Sequence, residues 1–518
     1  MAKIKMEADV VVAAAGMSGL SAAVQAQELL NATGGGSVVA FEKSGTTGGA
    51  ANMGMALFAV ESKYQKEDMY YWTKDEAFAH FMEYTHWRAD AKLVRRWFNM
   101  SADTIEWLES MGTQFQGVYK YFKDSHKTQH MVKVPGTNRP TERAASVNIK
   151  NMTDYGVEQG VDFQFHTAVK DLIMGDKGQV IGVRAEREDG TEIECLANAV
   201  IVATGGIGNN VDMIEKHLGF KWGEDLTSFR IPGLDGDGIN MVWRAGGKQT
   251  PINMEIMYNT PGVTDLFKTI SETMRQPNLM VNLDGKRFMN EYFMDNTTFT
   301  SNAILQQKKN CAFTIIGEDI LDYYRQNGLD YITYHHNIRT MDKWEHETDL
   351  YLSGKQSDVE NSVFSGDDKD ISYGENLERN FWVFDSLEEL CETTGINLKN
   401  LKKTLDEYNN MADGYDWQFT KPARYLKAVE GPKYYVARHF PSGYGSLGGI
   451  KVNENMEVLD TKLEKIPGLY SCGTDCATVF GSDYCFYNPG STMSYAINSG
   501  RIAAIEAVKY MDSEDFVE

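Results

Sequence analysis

The clearest pattern of apolar and polar positions stands near the start of the chain. Ala8 to Ala13 is a short, mainly apolar run of the length of a buried strand. From Met17 to Leu30 the period changes to that of a helix, with Leu20, Val24 and Gln27 on one side. Gly34, Gly35 and Gly36 make a turn, and Ser37 to Phe41 is a second apolar strand that ends at Glu42. The pattern therefore predicts a β-α-β unit with a carboxylate at the tip of its second strand. Far along the chain, Ile396 to Met411 predicts an amphipathic helix with Leu398, Leu401, Leu405 and Tyr408 on one face. Ser491 to Tyr510 predicts a last helix with Ser491 as N-cap and an apolar stripe of Met493, Ile497, Ala504 and Val508. No internal repeat or low-complexity linker is visible.

Val10 to Gln27 carries no charge and follows Lys3 and Lys5, as a leader peptide would. Glu7 and Asp9 interrupt that arrangement, and Ser18, Ser21, Gln25 and Gln27 make the run a poor membrane span. A buried strand followed by a helix explains it better, and no membrane insertion is expected.

Composition narrows the class. The chain has 518 residues, enough for several domains at roughly 150 residues each. With 51 basic and 73 acidic residues it carries a net charge of −22, which argues against non-specific binding to nucleic acid or anionic lipid. Six cysteines are too few for a disulfide scaffold, and the Cys472/Cys476 spacing matches no common zinc, haem or redox motif. Reduced thiols in a reducing, cytoplasmic compartment are expected. The acidic run near Ser357 to Glu378 is expected to be a solvated surface.

The β-α-β unit carries candidate chemistry. Ala14-Ala15-Gly16-Met17-Ser18-Gly19 fits a dinucleotide fingerprint except that Ala14 holds the first glycine position, where alanine disfavours positive φ. In such folds the helix N-terminus faces a pyrophosphate, and the acid at the second strand tip, here Glu42, accepts from a ribose.

The segment after Glu42 carries a resemblance. Glu42-Lys43-Ser44-Gly45-Thr46-Thr47-Gly48-Gly49-Ala50-Ala51-Asn52-Met53-Gly54-Met55 is similar to the glycine loop of the flavoprotein family of fumarate reductases, succinate dehydrogenases and 3-ketosteroid dehydrogenases. Four later segments resemble that family in the same order. They are Val200-Ile201-Val202-Ala203-Thr204-Gly205-Gly206, Gly236-Asp237-Gly238, Gly285-Lys286-Arg287-Phe288-Met289-Asn290-Glu291 and Ile466-Pro467-Gly468-Leu469-Tyr470-Ser471-Cys472-Gly473.

The resemblance implies an α/β fold: a Rossmann-like FAD-binding domain with α+β additions, interrupted by a mobile α+β capping domain. Its limits would be 1–253 and 441–518 for the FAD domain and 254–440 for the cap, with the active site at their junction. It implies FAD held by Ala15, Gly16, Ser18, Gly19, Glu42, Lys43, Gly48, Gly49, Asn52, Met53, Gly54, Met55, Ala168, Val169, Ala203, Thr204, Gly205, Asp237, Glu291, Gly473, Thr474, Asp475, Ser491, Thr492 and Met493. The N–H groups of Thr492 and Met493 would point at flavin N1 and O2. Relatives with covalent flavin attach it through a histidine just before the Gly-Gly pair. Thr46-Thr47 stands there and no histidine is near in sequence, so non-covalent FAD is implied. The fused haem or second-flavin modules of some relatives have no counterpart, so a separate electron donor or acceptor is expected.

The positions that clamp dicarboxylates in the fumarate reductases are changed. Glu291 to Ser301 holds no arginine, Met254 to Pro261 no histidine, Tyr444 stands in place of the second junction histidine, and Tyr487 in place of the late arginine. A dianion there would be desolvated without compensation. Phe486-Tyr487-Asn488-Pro489-Gly490-Ser491 instead resembles the tyrosine element with which 3-ketosteroid dehydrogenases hold a substrate carbonyl. The expected activity is that of an FAD-dependent oxidoreductase acting on a C=C/C–C bond conjugated to a carbonyl, most plausibly an ene-reductase for an apolar enone such as a 3-oxosteroid. Tyr487 would polarise the carbonyl, and Tyr444, Tyr258 or Tyr292 would exchange a proton. With 26 tyrosines in the chain, each is a structural residue by default. Two alternatives stand beside this expectation: a reductase of cinnamate- or urocanate-like acrylates, with Arg438 or His439 as the cation, and a flavin-binding protein without turnover.

Overall fold

The computed structural model describes residues 3–136, 144–228, 231–263, 267–331, 341–353, 379–412, 414–514 and 516–517. The acidic run at 357–378 lies outside the described residues. The chain divides into two compact units. Unit one is Met1–Gly219, Arg230–Glu255 and Gly445–Glu518; unit two is Phe220–Phe229 and Ile256–Tyr444.

Unit one is built on a sheet. Its elements in chain order are β1 (Lys3–Ala13), α1 (Met17–Ala32), β2 (Val38–Phe41), α2 (Ala91–Ser110), β3 (Asp162–Gln164), β4 (Thr167–Met174), β5 (Val180–Arg187), β6 (Glu192–Val202), β7 (Glu457–Leu459), β8 (Lys465–Ser471) and α3 (Ser491–Met511). β1 lies between β2 and β6, parallel to both, with Ala13 level with Phe41 and Val202. β8 runs parallel to β6 with Ser471 level with Val202, and β3 extends the parallel set beyond β2. Four strands thus end together at one edge. The apolar half of β1, Val10–Ala13, is wholly buried, as strands covered on both faces are. Its first half alternates between exposed and half-buried positions alongside β6, so the strand starts five residues earlier than the apolar run alone suggests. The β4–β5 hairpin continues antiparallel onto the first half of β6.

Helices α1 and α3 touch backbone to backbone, since a Cβ on Gly500 would stand 2.2 Å from the Ser18 carbonyl oxygen. The side of α3 away from its apolar stripe is buried as well. Trp97 Nε1 donates to Ser494 Oγ at 3.0 Å, Thr104 Oγ1 to Asn498 Oδ1 at 2.6 Å, and Arg501 Nε to Gln25 Oε1 at 2.8 Å. Helices on both sides turn an apparent solvent face into an interior satisfied by hydrogen bonds.

Unit two holds a mixed sheet. Residues 434–444 of strand Tyr434–Leu447 pair antiparallel with Ala312–Gly317 and Phe381–Phe384 and parallel with Thr227–Ser228. Helix Leu398–Ala412 buries Leu401, Leu405 and Tyr408 as its periodicity predicts, with Leu398 packed partly against the same core. The interior also holds charges. Arg287 donates to both oxygens of Glu291, at 2.8 and 2.7 Å, and to both oxygens of Asp416, at 3.0 and 2.8 Å. Lys421 Nζ donates to Tyr408 Oη at 2.7 Å and lies 3.6 Å from Glu291. Two cations thus balance two carboxylates with almost no exposed side-chain surface. Burial lowers the Lys421 ammonium to about 8. Despite the opposing effect of burial, hydrogen bonds and the charge of Arg287, with backbone N–H groups, bring Asp416 down to about 2 from an ordinary 3.8.

A depressed carboxylate stabilises the fold above its unfolded pKa, and that contribution is lost as pH falls through the folded value. The melting temperature is therefore expected to drop between pH 3.8 and about 2. The Asp416→Asn variant leaves Arg287 partly unpaired in the interior and is expected to cost about 3 kcal/mol, read from denaturant titration at neutral pH.

Candidate functional site

The carboxyl ends of β1, β2, β6 and β8 carry the loops of the expected cofactor set. After β1, Ala14 takes φ +82°, a left-handed conformation that strains a residue with a Cβ. Gly19 is required nearby, because a Cβ there would stand 1.9 Å from the Ala14 carbonyl oxygen. Gly16 caps α1 with no side-chain hydrogen bond, and the first turn has no acidic residue. The first N–H groups of a buried helix end thus lack a side-chain partner, which suits an anion.

Glu42 is held at the tip of β2, where one oxygen accepts the Ala15 N–H and the other the Ser44 N–H, each at 2.8 Å. Ala15 thereby orients the carboxylate. Thr167 N–H donates to the Glu42 carbonyl at 2.9 Å, which brings Ala168 and Val169 at the start of β4 beside it. The glycine loop closes on the fingerprint through Gly48 N–H to Ala15 O at 2.8 Å, and Asn52 Nδ2 ties the loop to Thr47 O at 2.9 Å. Lys43 pairs with Asp237 at 2.8 Å and Asp235 at 3.0 Å, joining the Gly-Asp-Gly turn to the loop after β2.

After β6, Ala203 N–H donates to Ala13 O at 2.9 Å. Asp475, expected as a cofactor contact, is fully buried, and its carboxylate accepts from Thr204 Oγ1 and from Gly206 N–H at 2.9 Å. With no surface to offer, its side chain shapes the Thr204–Gly205 turn. Gly473 fits against Ser18, whose Oγ would lie 2.4 Å from an added Cβ, while Thr474 stays half-buried beside the Gly205 and Gly206 positions.

At α3 the expected N-cap is corrected. Gly490, in a left-handed conformation, precedes the helix without a side-chain cap, and the buried Ser491 donates its hydroxyl to Asn488 O. The Thr492 N–H, expected to face the flavin, reaches Tyr484 Oη at 3.4 Å, and Thr492 Oγ1 donates to Glu255 at 3.4 Å. Met493 packs against the Met53–Met55 stretch, for a Cβ on Gly54 would lie 2.0 Å from Met493 Cε.

The structure also corrects Glu291. In unit two its side chain has 0% exposure and both its oxygens receive Arg287, so it offers no surface to a cofactor. Tyr258, likewise in unit two, gives its buried hydroxyl to Met294 O at 2.9 Å, which leaves no free donor for catalysis. Tyr292 packs against Phe293 and Tyr425, and Tyr444 is half-buried. The proposed cations are engaged as well. Arg438 Nε donates to Asn380 at 2.8 Å with its guanidinium over Trp382 and Phe440. His439 is fully buried between Thr260 and Thr314, at 2.8 Å from each, and burial lowers its pKa to about 3.

Tyr487, in unit one, stands within a ring cluster that its sequence neighbours do not reveal. The rings of His80, Tyr84 and Phe122 lie 5.8, 6.0 and 5.6 Å from it. The His126 N–H donates to the Tyr487 carbonyl at 2.8 Å, and its imidazole stacks on Trp72 at 3.6 Å. Burial lowers His126 to about 4 and also lowers His80, whose Nδ1 is buried without a hydrogen-bond partner. Burial thus disfavours the charged form of both imidazoles.

Parallel strands ending level, an uncapped helix N-terminus, a carboxylate at the second strand tip and a glycine loop define a dinucleotide-binding protein of the doubly wound class. The chain belongs to the FAD binding domain family, which matches residues 9–494. It is 27% identical over 521 residues to a vinyl phenol reductase of Lactiplantibacillus plantarum, covering 98% of both chains. It is 26% identical over 506 residues to a fumarate reductase (cytochrome) of Shewanella frigidimarina, covering 97% of this chain and 77% of that one. A solved 3-ketosteroid Δ4-(5α)-dehydrogenase of Rhodococcus jostii RHA1 shares the fold with a TM-score of 0.71 at 20% identity, covering 97% of each chain. The chain is thus an FAD-dependent oxidoreductase of the fumarate reductase family, a family acting on CH–CH groups.

The residues fit FAD. The α1 N-terminus and the Gly48–Gly49 loop would hold its diphosphate and Glu42 its ribose. Thr204, Gly205 and the first turn of α3 would line the ring system. Among the described residues no helix is long and apolar enough to cross a membrane, no His/Cys/Asp/Glu group could hold a metal, and the six cysteines are free thiols. The Glu42→Ala variant removes a charged acceptor and is expected to weaken FAD binding by about tenfold or more, read by flavin fluorescence on titrating the apoprotein.

Proposed function

We propose that this protein reduces a C=C bond conjugated, directly or through a ring, to a carbonyl or phenolic oxygen in a flat, uncharged and mostly apolar molecule. An enone of the 3-oxosteroid kind and a vinylphenol are the two forms of that class. The observation that carries the reading is the setting of Tyr487: a ring just before α3, edge-on to the rings of His80 and Tyr84, in a cluster where burial disfavours charge on both imidazoles. The vinyl phenol reductase, matched over 98% of both lengths, supports the aromatic form.

Bound FAD supplies hydride transfer to carbon. The protein's own part is to manage oxygen and water. Reduction of a conjugated double bond moves negative charge onto the conjugated oxygen, and a neutral donor fixed there stabilises it in a setting poor in water. Tyr487 is that donor. The rings of Phe122, Tyr84 and Trp72 offer flat apolar surface and exclude water. Tyr258, whose hydroxyl is given to Met294, is set aside, and Tyr444 is our candidate for proton exchange on its position in the sequence. Burial disfavours the charged form of both imidazoles, so neither is suited to be the cation that desolvating a dicarboxylate requires.

We hold the FAD to be non-covalent. The ring of His166 does stand by the glycine loop, 2.9 Å from a Cβ position on Gly45, but its Nδ1 is paired with Glu188 at 2.9 Å. Acid precipitation is expected to release the flavin completely into the supernatant. Electrons would come from a separate donor, and free buried thiols are consistent with a cytoplasmic setting.

Anaerobically reduced protein, mixed in turn with an enone, a vinylphenol, a cinnamate and fumarate, is expected to be reoxidised by one of the first two. Rapid reoxidation by fumarate or cinnamate alone overturns the proposal. The Tyr487→Phe variant is expected to slow reoxidation by about a hundredfold with FAD content unchanged.

A further inference from the structure

Glu255 is a carboxylic acid in an unusual position. It lies in unit one at the end of the segment Arg230–Glu255, within the otherwise apolar run Met254-Glu255-Ile256-Met257, and is 5% exposed. Two groups bear on it. Thr492 Oγ1, in the first turn of α3, donates to its Oε2 at 3.4 Å. The Tyr484 phenol, from the loop before α3, is fully buried and accepts the Thr492 N–H at 3.4 Å. No basic side chain pairs with Glu255 among the described residues. Burial pushes its pKa up to about 8, with the Thr492 bond opposing weakly, and burial also keeps the Tyr484 phenol protonated well above neutral pH. An unpaired acid in such a place is neutral at pH 7.

We infer that Glu255 is a proton-holding residue of the flavin site, an acid tied through Thr492 to the N-terminus of α3 that stays neutral near pH 7 and, at alkaline pH, binds and releases one proton in step with the redox state of the bound FAD. The inference rests on the assignment of the first turn of α3 to the cofactor set and not on the identity of the substrate. Negative charge added at that helix end raises the affinity of Glu255 for its proton. The balance is explicit. From neutral pH up to the carboxyl's own titration the acid is protonated in both redox states, and reduction takes two electrons and one proton, all to the flavin, which then carries one negative charge. Above it, two electrons and one proton go to the flavin while a second proton passes from water to the Glu255 carboxylate. Reoxidation returns both protons. Glu255 acts through Thr492 and is a positioning residue for charge; it touches no reacting carbon.

The test is the midpoint potential of the holoprotein, titrated with dithionite and a mediator dye from neutral to alkaline pH, with no substrate present. In the wild type the slope of potential against pH is expected to double above about 8, as one proton per two electrons becomes two. In Glu255→Gln, which keeps a hydrogen-bonding oxygen for Thr492, the shallow slope is expected to persist throughout. Infrared difference spectra at alkaline pH are expected to show a protonated carboxyl band on reduction that is missing from the variant. A wild-type slope that never steepens, or a steepening that survives in Glu255→Gln, overturns the inference even if every enone is turned over. Failure of the substrate proposal leaves this measurement intact.

Discussion

The constraint on which unit one depends is that its parallel strands end level. Ala13, Phe41, Val202 and Ser471 stand in one row because β1, β2, β6 and β8 are in register. Each strand must then be followed by a loop that leaves the sheet at the same edge, so segments far apart in sequence meet there by geometry alone. The loops after Ala13, Phe41, Val202 and Ser471 have no freedom to lie elsewhere. The helices that follow them turn their N-termini toward that edge, and the ends of α1 and α3 have no side-chain caps. A ligand with an anionic middle and a flat ring satisfies what the fold leaves open.

Much of this was legible in the sequence because it depends on short-range pattern. The alternation of strand, glycine turn, helix and strand places Glu42 at a strand tip with no knowledge of the rest of the chain. The face of Leu398–Ala412 follows from its periodicity in the same way. What was not legible depends on partners distant in sequence. Ser491 has the chemistry of an N-cap, but Asn488 takes its hydroxyl, and the backbone of Gly490 makes the helix start. The polar residues of α3 spell a solvent face until α2 supplies Trp97 and Thr104. Glu291 stands in a motif associated with flavin, but Arg287 from the same motif folds back onto it and Asp416 completes the pairing. Ala14 shows the opposite case, in which the fold imposes a left-handed backbone on a residue that local preference steers away from it.

Charge is distributed to a purpose that pairwise inspection of sequence cannot supply. In unit two, Arg287 and Lys421 are committed to a cluster with nearly complete pairing, and such a cluster contributes to uniqueness of structure more than to stability. His439 has the residue type of a substrate cation, but two threonine hydroxyls and full burial keep it uncharged. The same holds around Tyr487, where burial lowers the pKa of two imidazoles. In each of these three histidines burial disfavours the charged form of the ring.

That neutrality bears on selectivity. A guanidinium fork recognises a carboxylate by charge and holds it before and during reaction with similar strength, which favours binding more than rate. A phenol recognises an uncharged oxygen weakly in the ground state and more strongly as charge develops on it, which is the differential interaction that lowers a barrier. A phenol in place of such a fork, as we propose for Tyr487, would therefore trade affinity for a charged substrate against selectivity for the moment of charge transfer. The buried Nδ1 of His80, whose ring lies against that of Tyr487, has no hydrogen-bond partner, and a polar group buried in that state carries a desolvation cost. On our proposal for Tyr487, discrimination against a dicarboxylate would come from an uncharged donor that gains strength only as charge develops.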